Sequence, residues 1–186
     1  DAGSTGAISI TGTATGLGTL TITNSNGATF GGNVGATTVT LTDTVDTATV
    51  AFNGLLTATT FNISTNGGSD AFNIALNGGG TLTNAVNFYN TGTVTLGDSA
   101  LDSLTFTGGV KTNGNTSNPT GTNLAGTINT TNNFLTLGAA TLTDNTTLNS
   151  GGGAITLASV AGATKNLTLD AGSTGAISIT GTATGL

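Results

Sequence analysis

Apolar residues in this chain come in pairs that straddle one small polar residue: Leu20 with Ile22, Val39 with Leu41, Phe61 with Ile63, Leu104 with Phe106, Leu167 with Leu169. Alternation with a period of two marks a short strand that buries one face. The first members form a series, Leu20, Val39, Phe61, Leu82, Leu104, Ile128, Leu148 and Leu167, with steps between 19 and 24 residues. A second series runs Ile8, Phe30, Val50, Phe72, Val94 and resumes at Leu135, Ile155 and Ile177. Val86 and Phe88 form a pair that belongs to neither series. Between the pairs lie clusters of Gly, Asn and Ser at 24–27, 66–69 and 151–153, residues that accept the left-handed conformations turns require. Each coil is then expected to run strand, turn, strand, turn and a short third side.

Helix is excluded by the same pattern, because Thr and Gly are poor helix formers and no window carries the 3.6-residue period. An antiparallel sandwich also alternates and also has frequent turns. The near-constant step, with like residues recurring along each series, instead predicts an all-β, parallel β-solenoid (β-helix) in which like stacks on like. Residues 1–17, DAGSTGAISITGTATGL, recur unchanged at 170–186, an interval of 169. The expectation is therefore about eight coils of about 21 residues per 169-residue unit, a rod roughly 38 Å long. Residues 1–186 read as one continuous solenoid: one tandem unit and the first 17 residues of a further copy.

Composition narrows the function. The chain contains no Cys, Met, Trp, His, Glu or Arg, and its only lysines are Lys111 and Lys165. Acid and base work would fall to eight Asp, one Tyr and two Lys, with no cluster among them, so an enzyme and a cofactor are not expected. A net charge of −6 argues against nucleic-acid phosphates and anionic lipid as partners. The apolar residues are dispersed, far short of the roughly 18 in a row that a membrane-inserted helix needs. Only 5% of residues are charged, which leaves a neutral polar surface.

The runs at 166–181 (NLTLDAGSTGAISITG), 19–32 (TLTITNSNGATFGG) and 38–54 (TVTLTDTVDTATVAFNG) resemble the repeats of giant bacterial surface proteins, the filamentous-haemagglutinin and autotransporter-like adhesins. That resemblance implies a right-handed β-helix, export to the cell exterior or cell surface, and a role as fibre, stalk or adhesin. The expected partners are copies of the chain itself, end to end or side by side, and a host or environmental glycan.

Candidate contact residues follow from parity. The outward positions of the first series form two files, Thr19, Thr38, Thr60, Thr81, Ser103, Thr127, Thr147, Asn166 and Thr21, Thr40, Asn62, Thr83, Thr105, Asn129, Asn149, Thr168. Such T-x-T arrays resemble the ice-binding faces of antifreeze β-solenoids, which makes a glycan- or ice-binding surface the alternative to a purely structural one. Thr is also simply a good strand residue that stacks on itself. The candidate surface contacts are Thr19, Thr21, Thr38, Thr40, Thr81, Thr83, Thr105 and Lys111. Lys111 opens a segment, 111–122, that holds the only Pro and is expected to bulge from the rod. Residues 67–70 resemble the Gly- and Asp-rich calcium-binding nonapeptides, but no Asp recurs at nine residues, so a metal-free turn is expected. Asp43 with Asp46 and Asp98 with Asp102 are the close acid pairs, read as solvated turn residues.

Overall fold

The computed structural model describes residues 1–63 and 70–186; the turn cluster expected at 66–69 lies outside the described residues. Among the described residues there are eighteen strands and no helix, and every strand pairing is parallel. The chain winds as a β-solenoid of about eight coils, and each coil has three sides, so the third side is a full sheet face.

Three inward columns define those sides. On the first, Ile8, Ala28, Val50, Ile74, Val94, Thr122, Ala140, Val160 and Ala183 lie opposite one another in succession. On the second, Ala14, Val34, Leu56, Gly80, Leu104, Ile128, Leu148 and Leu169 do so. The third begins with Leu20, Val39 and Phe61 and continues as Val86, Val110, Leu135, Ile155 and Ile177. The Phe61 and Phe88 rings, 6.2 Å apart, join its two halves through the core. Val86 and Phe88, which fit neither series, are the third side of their coil.

The two series read from the sequence therefore cross between sides. Leu82 lies opposite Ala58 and Phe106 on the second side, not above Phe61 on the third. Leu148 lies opposite Leu169, with Leu167 opposite Thr146. The other series starts on the first side and resumes at Leu135 on the third, while Phe30 lies opposite Phe52 and not Val50. The cause is physical: every side buries the same apolar pair, so parity and period alone do not distinguish one side from another. The break after Val94 has its own cause. The next inward residue on that side is Thr122, whose hydroxyl pairs with that of Thr112 at 2.8 Å, both fully enclosed in the core. A hydrogen-bonded hydroxyl pair replaces the apolar ladder there at little cost, because neither group is left unpaired.

Burial is most complete in the middle coils, where Phe30, Phe52, Phe72, Phe88 and Phe106 have no more than 1% of their surface exposed. The corner between the first and second sides is drawn tight by a glycine column. A Cβ on Gly32 would lie 2.6 Å from the carbonyl carbon of Gly12, and one on Gly54 2.5 Å from that of Gly32. Asparagines line the same corner: Asn33 Oδ1 accepts the Leu55 N–H at 3.0 Å, and Asn77 Nδ2 donates to Asn53 Oδ1 at 3.0 Å.

The two end coils hold the repeated sequence. Ile8–Ile10 lie on the first side, paired with 28–30, whereas Ile177–Ile179 lie on the third, paired with 155–157. From one copy to the next the path makes seven turns and two further sides, one side short of the eight coils expected.

Candidate functional site

The outward positions hold the candidate contacts, and the structure divides them between two sides. On the third side Thr19, Thr38 and Thr60 form one file, and Thr21, Thr40 and Asn62 another. On the second side Thr57, Thr81, Thr105, Asn129, Asn149 and Asp170 form a longer file. Ser103, Thr127, Thr147 and Thr168 run beside it. Thr83 belongs to neither: it follows its strand at the corner, its N–H donating to Ala58 O at 3.0 Å. The single pair of files across all the coils is thus corrected to a short threonine patch on one side and a Thr/Asn file on the next. The reason is the slip at Leu82, which moved every later outward residue to a different side.

The third-side patch borders a shallow open groove of about 390 Å³ that the sequence reading missed. It runs along the corner between the second and third sides and is lined by Gly16, Leu17, Gly18, Gly35, Ala36, Thr37, Thr57 and Thr59. The concavity arises because the strand Ala14–Ile22 shifts register between Ala14 and Leu17 and because small residues succeed one another there. Gly16 has φ +75°, and a Cβ on Gly16 or Gly18 would meet nothing. The signal in the sequence was the Gly16-Leu17-Gly18 run with Gly35 one coil later. Among the described residues no titratable side chain lines the groove. Its rim offers hydroxyls that donate and accept, and its floor offers methyl and backbone groups; that chemistry suits hydrogen bonding and close packing.

Lys111 lies in a strand of the third side, opposite Asn87 and Thr136, with its Nζ 5.0 Å from the centre of the Phe134 ring. Cation–π attraction and the stem's packing hold it against the rod. The segment after it was expected to bulge, yet it is tied to the coil beneath. Asn115 Nδ2 donates to Phe88 O at 3.0 Å, Ser117 Oγ to Tyr89 O at 2.8 Å, and the Thr120 N–H to Gly92 O at 3.0 Å.

The acid pairs serve turns. Asp102 Oδ2 accepts the N–H groups of Asp98 and Ser99 at 2.9 and 2.8 Å. Burial, and then the neighbouring Asp102, push the Asp98 carboxyl above its ordinary range. The N–H groups of Asn145 and Ala100 hold Asp144 below it. Of the calcium-like stretch, residues 67–69 lie outside the described residues. Asp70 is raised by burial first and by Asp43 and Asp46 second, and its Oδ2 has no hydrogen-bond partner among the described residues. Asp46 Oδ1 accepts the Ala71 N–H at 3.1 Å, so this acid also braces the corner. Among the described residues no three His, Cys, Asp or Glu side chains are placed to share a metal ion.

No family model matches the chain, and no curated protein or solved structure is detectably similar to it.

Proposed function

We propose that this protein is a non-catalytic structural unit of an extracellular fibre or adhesin stalk on a bacterial surface, with tandem copies forming one continuous rod. The observation that carries the reading is a seventeen-residue sequence that recurs unchanged after an interval of 169 residues, with both copies wound into parallel coils of the solenoid. Three inward columns and the parallel ladders run along the axis, so bending the rod must distort many hydrogen bonds at once. Its length is then set by the number of copies. The neutral Thr and Asn files give neighbouring rods a surface that packs through hydroxyl, amide and methyl groups. The texture of the repeats, similar to that of bacterial surface adhesins, supports placement outside the cell.

Joining one, two and three 169-residue units and measuring them by electron microscopy tests the reading. Each added unit is expected to lengthen the particle by roughly 37 Å at constant width. Particles that thicken, fold back or stay the same length would overturn it.

A second reading, contact with a neutral sugar, is favoured by the uncharged groove with Thr37, Thr57 and Thr59 on its walls. Binding on a panel of neutral glycans, abolished by Thr57→Lys, would support it; no binding would remove it.

A further inference from the structure

One turn of the rod holds a leucine out in solvent and is tied so that the side chain stays there. Residues 97–102 join the first side to the second in the fifth coil. Every N–H from Asp98 to Asp102 is donated. Those of Asp98 and Ser99 go to Asp102 Oδ2 at 2.9 and 2.8 Å, and that of Ala100 goes to Asp144 Oδ2 at 3.1 Å. The Leu101 N–H donates to Ser99 Oγ at 3.3 Å and the Asp102 N–H to Ser99 O at 3.1 Å. Gly126 fits beneath the turn, where a Cβ would collide with the carbonyls of Ser99 and Asp102. Leu101 at the tip is 94% exposed, more than any other large apolar side chain among the described residues. It serves no core, yet its backbone is among the most fully bonded on the surface.

The complementary shape stands on the next corner. The open groove of about 390 Å³ between the second and third sides is lined by Leu17 and Ala36, by the glycines at 16, 18 and 35 and by threonines. We propose that this groove receives the Leu101 turn of a second copy of this chain, which sets two rods side by side. The proposal rests on the reading of the protein as a rod-forming unit and names the contact between rods. The leucine methyls displace water from the apolar and glycine surface of the groove, and the threonine hydroxyls meet the polar edge of the turn. Because the turn is already rigid, docking it orders no loop.

Charge favours this occupant. Asp98 and Asp102 flank Leu101, so the turn is repelled by the corner that carries Asp43, Asp46 and Asp70, whereas the residues lining the groove carry no charge. Gly185 is the second occurrence of Gly16, and its carbonyl accepts the Thr164 N–H at 2.7 Å from the coil before it. In that coil Gly162 and Ala163 are small, and Lys165 follows Thr164. In a rod of tandem units the groove is thus bordered by further small residues and by a lysine that attracts the two aspartates of the incoming turn. Leu101 lies in the fifth coil and the groove is centred on the second, so paired rods are offset by about three coils, roughly 14 Å. Knob and groove are different surfaces on different corners, which makes the contact heterologous and leaves each rod a free knob for one neighbour and a free groove for another. One leucine alone is a weak contact; repetition along a rod multiplies it.

Amide NMR of the full 186-residue chain tests the contact. As concentration rises, the resonances of Gly16, Gly18 and Leu101 are expected to shift together along one binding curve. Leu101→Ser, a change at an exposed tip, is expected to weaken this self-association by at least about tenfold. Gly18→Gln fills the groove without a clash, since nothing lies near a Cβ there, and is expected to do the same. Mixing labelled Leu101→Ser chain with unlabelled Gly18→Gln chain brings an intact groove to an intact turn and is expected to restore the shifts at Gly16 and Gly18. Leu101 shifts that persist in Gly18→Gln would mean that turns pack on turns, which overturns the proposal. So would spectra independent of concentration, or groove resonances that move only when a neutral sugar is added. Should Gly18→Gln fail to fold, Leu101→Ser decides alone: shifts at Gly16 and Gly18 that survive it overturn the proposal, and their loss supports it. These shifts are read on single units, so joined units that lengthen while Leu101→Ser changes nothing would remove this contact and leave the rod reading standing.

Discussion

Phe30 and Phe52 stack face to face in successive coils, ring centres 4.9 Å apart and planes within 5° of parallel. Their separation is close to that between strands, so the fold itself sets the stacking distance. Phe61 meets Phe52 edge-on at 6.1 Å, and Phe88 extends the cluster. Phe52→Ala opens a cavity in this buried column. The expected loss is about 3–5 kcal/mol in chemical denaturation. A loss below about 1 kcal/mol would mean that the column does not bear on stability.

Gly54→Ala tests the tight corner. The new Cβ would stand 2.5 Å from the carbonyl carbon of Gly32 and 2.7 Å from the Asn33 nitrogen, backbone atoms that move only if two coils separate. Gly18→Ala is the matched control, since nothing lies near its Cβ. The first change is expected to cost about 2–3 kcal/mol and the second to fall within about 0.5 kcal/mol of wild type, by thermal denaturation. Equal effects would contradict the glycine column.

Parity on one side of the rod is tested by two aspartates. Phe61 is 3% exposed and Thr40, in the neighbouring coil, is outward on the same side. Phe61→Asp buries an unpaired charge and is expected to prevent folding, at a cost of about 4 kcal/mol or more. Thr40→Asp is expected to cost about 0.5 kcal/mol, as a surface substitution. Circular dichroism of the two variants, side by side, is the measurement; equal damage would refute the register.

The solenoid, its period and the inward direction of the apolar pairs were legible because a parallel coil stacks like on like and alternates in and out. The side on which a strand lies was not. Leu82 and Leu104 look like continuations of Phe61 at the right spacing, yet they follow Ala58 and Gly80, small residues with no apolar signature of their own. Thr122 hid a further link, because a hydroxyl satisfied by Thr112 reads in sequence as an outward residue. The groove beside the threonine patch was illegible for a related reason: it is made by what glycine and alanine leave out, and by a register shift that no spacing rule anticipates.

Asp70 gives the fold a pH dependence of definite sign. Its carboxyl is raised above the ordinary aspartate value of 3.8, first by burial and then by Asp43 and Asp46, and its Oδ2 has no partner among the described residues. A raised acid binds its proton more tightly in the folded than in the unfolded chain. Stability from this group is therefore fully present below 3.8 and is lost as pH rises through the folded value. Asp70→Asn removes the charge and places an N–H donor beside the other two carboxylates. At neutral pH the variant is expected to melt slightly higher than wild type, by about 1–2 °C, since solvent screening limits the gain. That difference should shrink as pH falls toward 3.8, where the wild-type carboxyl takes up its own proton. Calorimetric melting curves of both proteins between neutral and acid pH check this, and a difference independent of pH would show that the acid corner carries no strain.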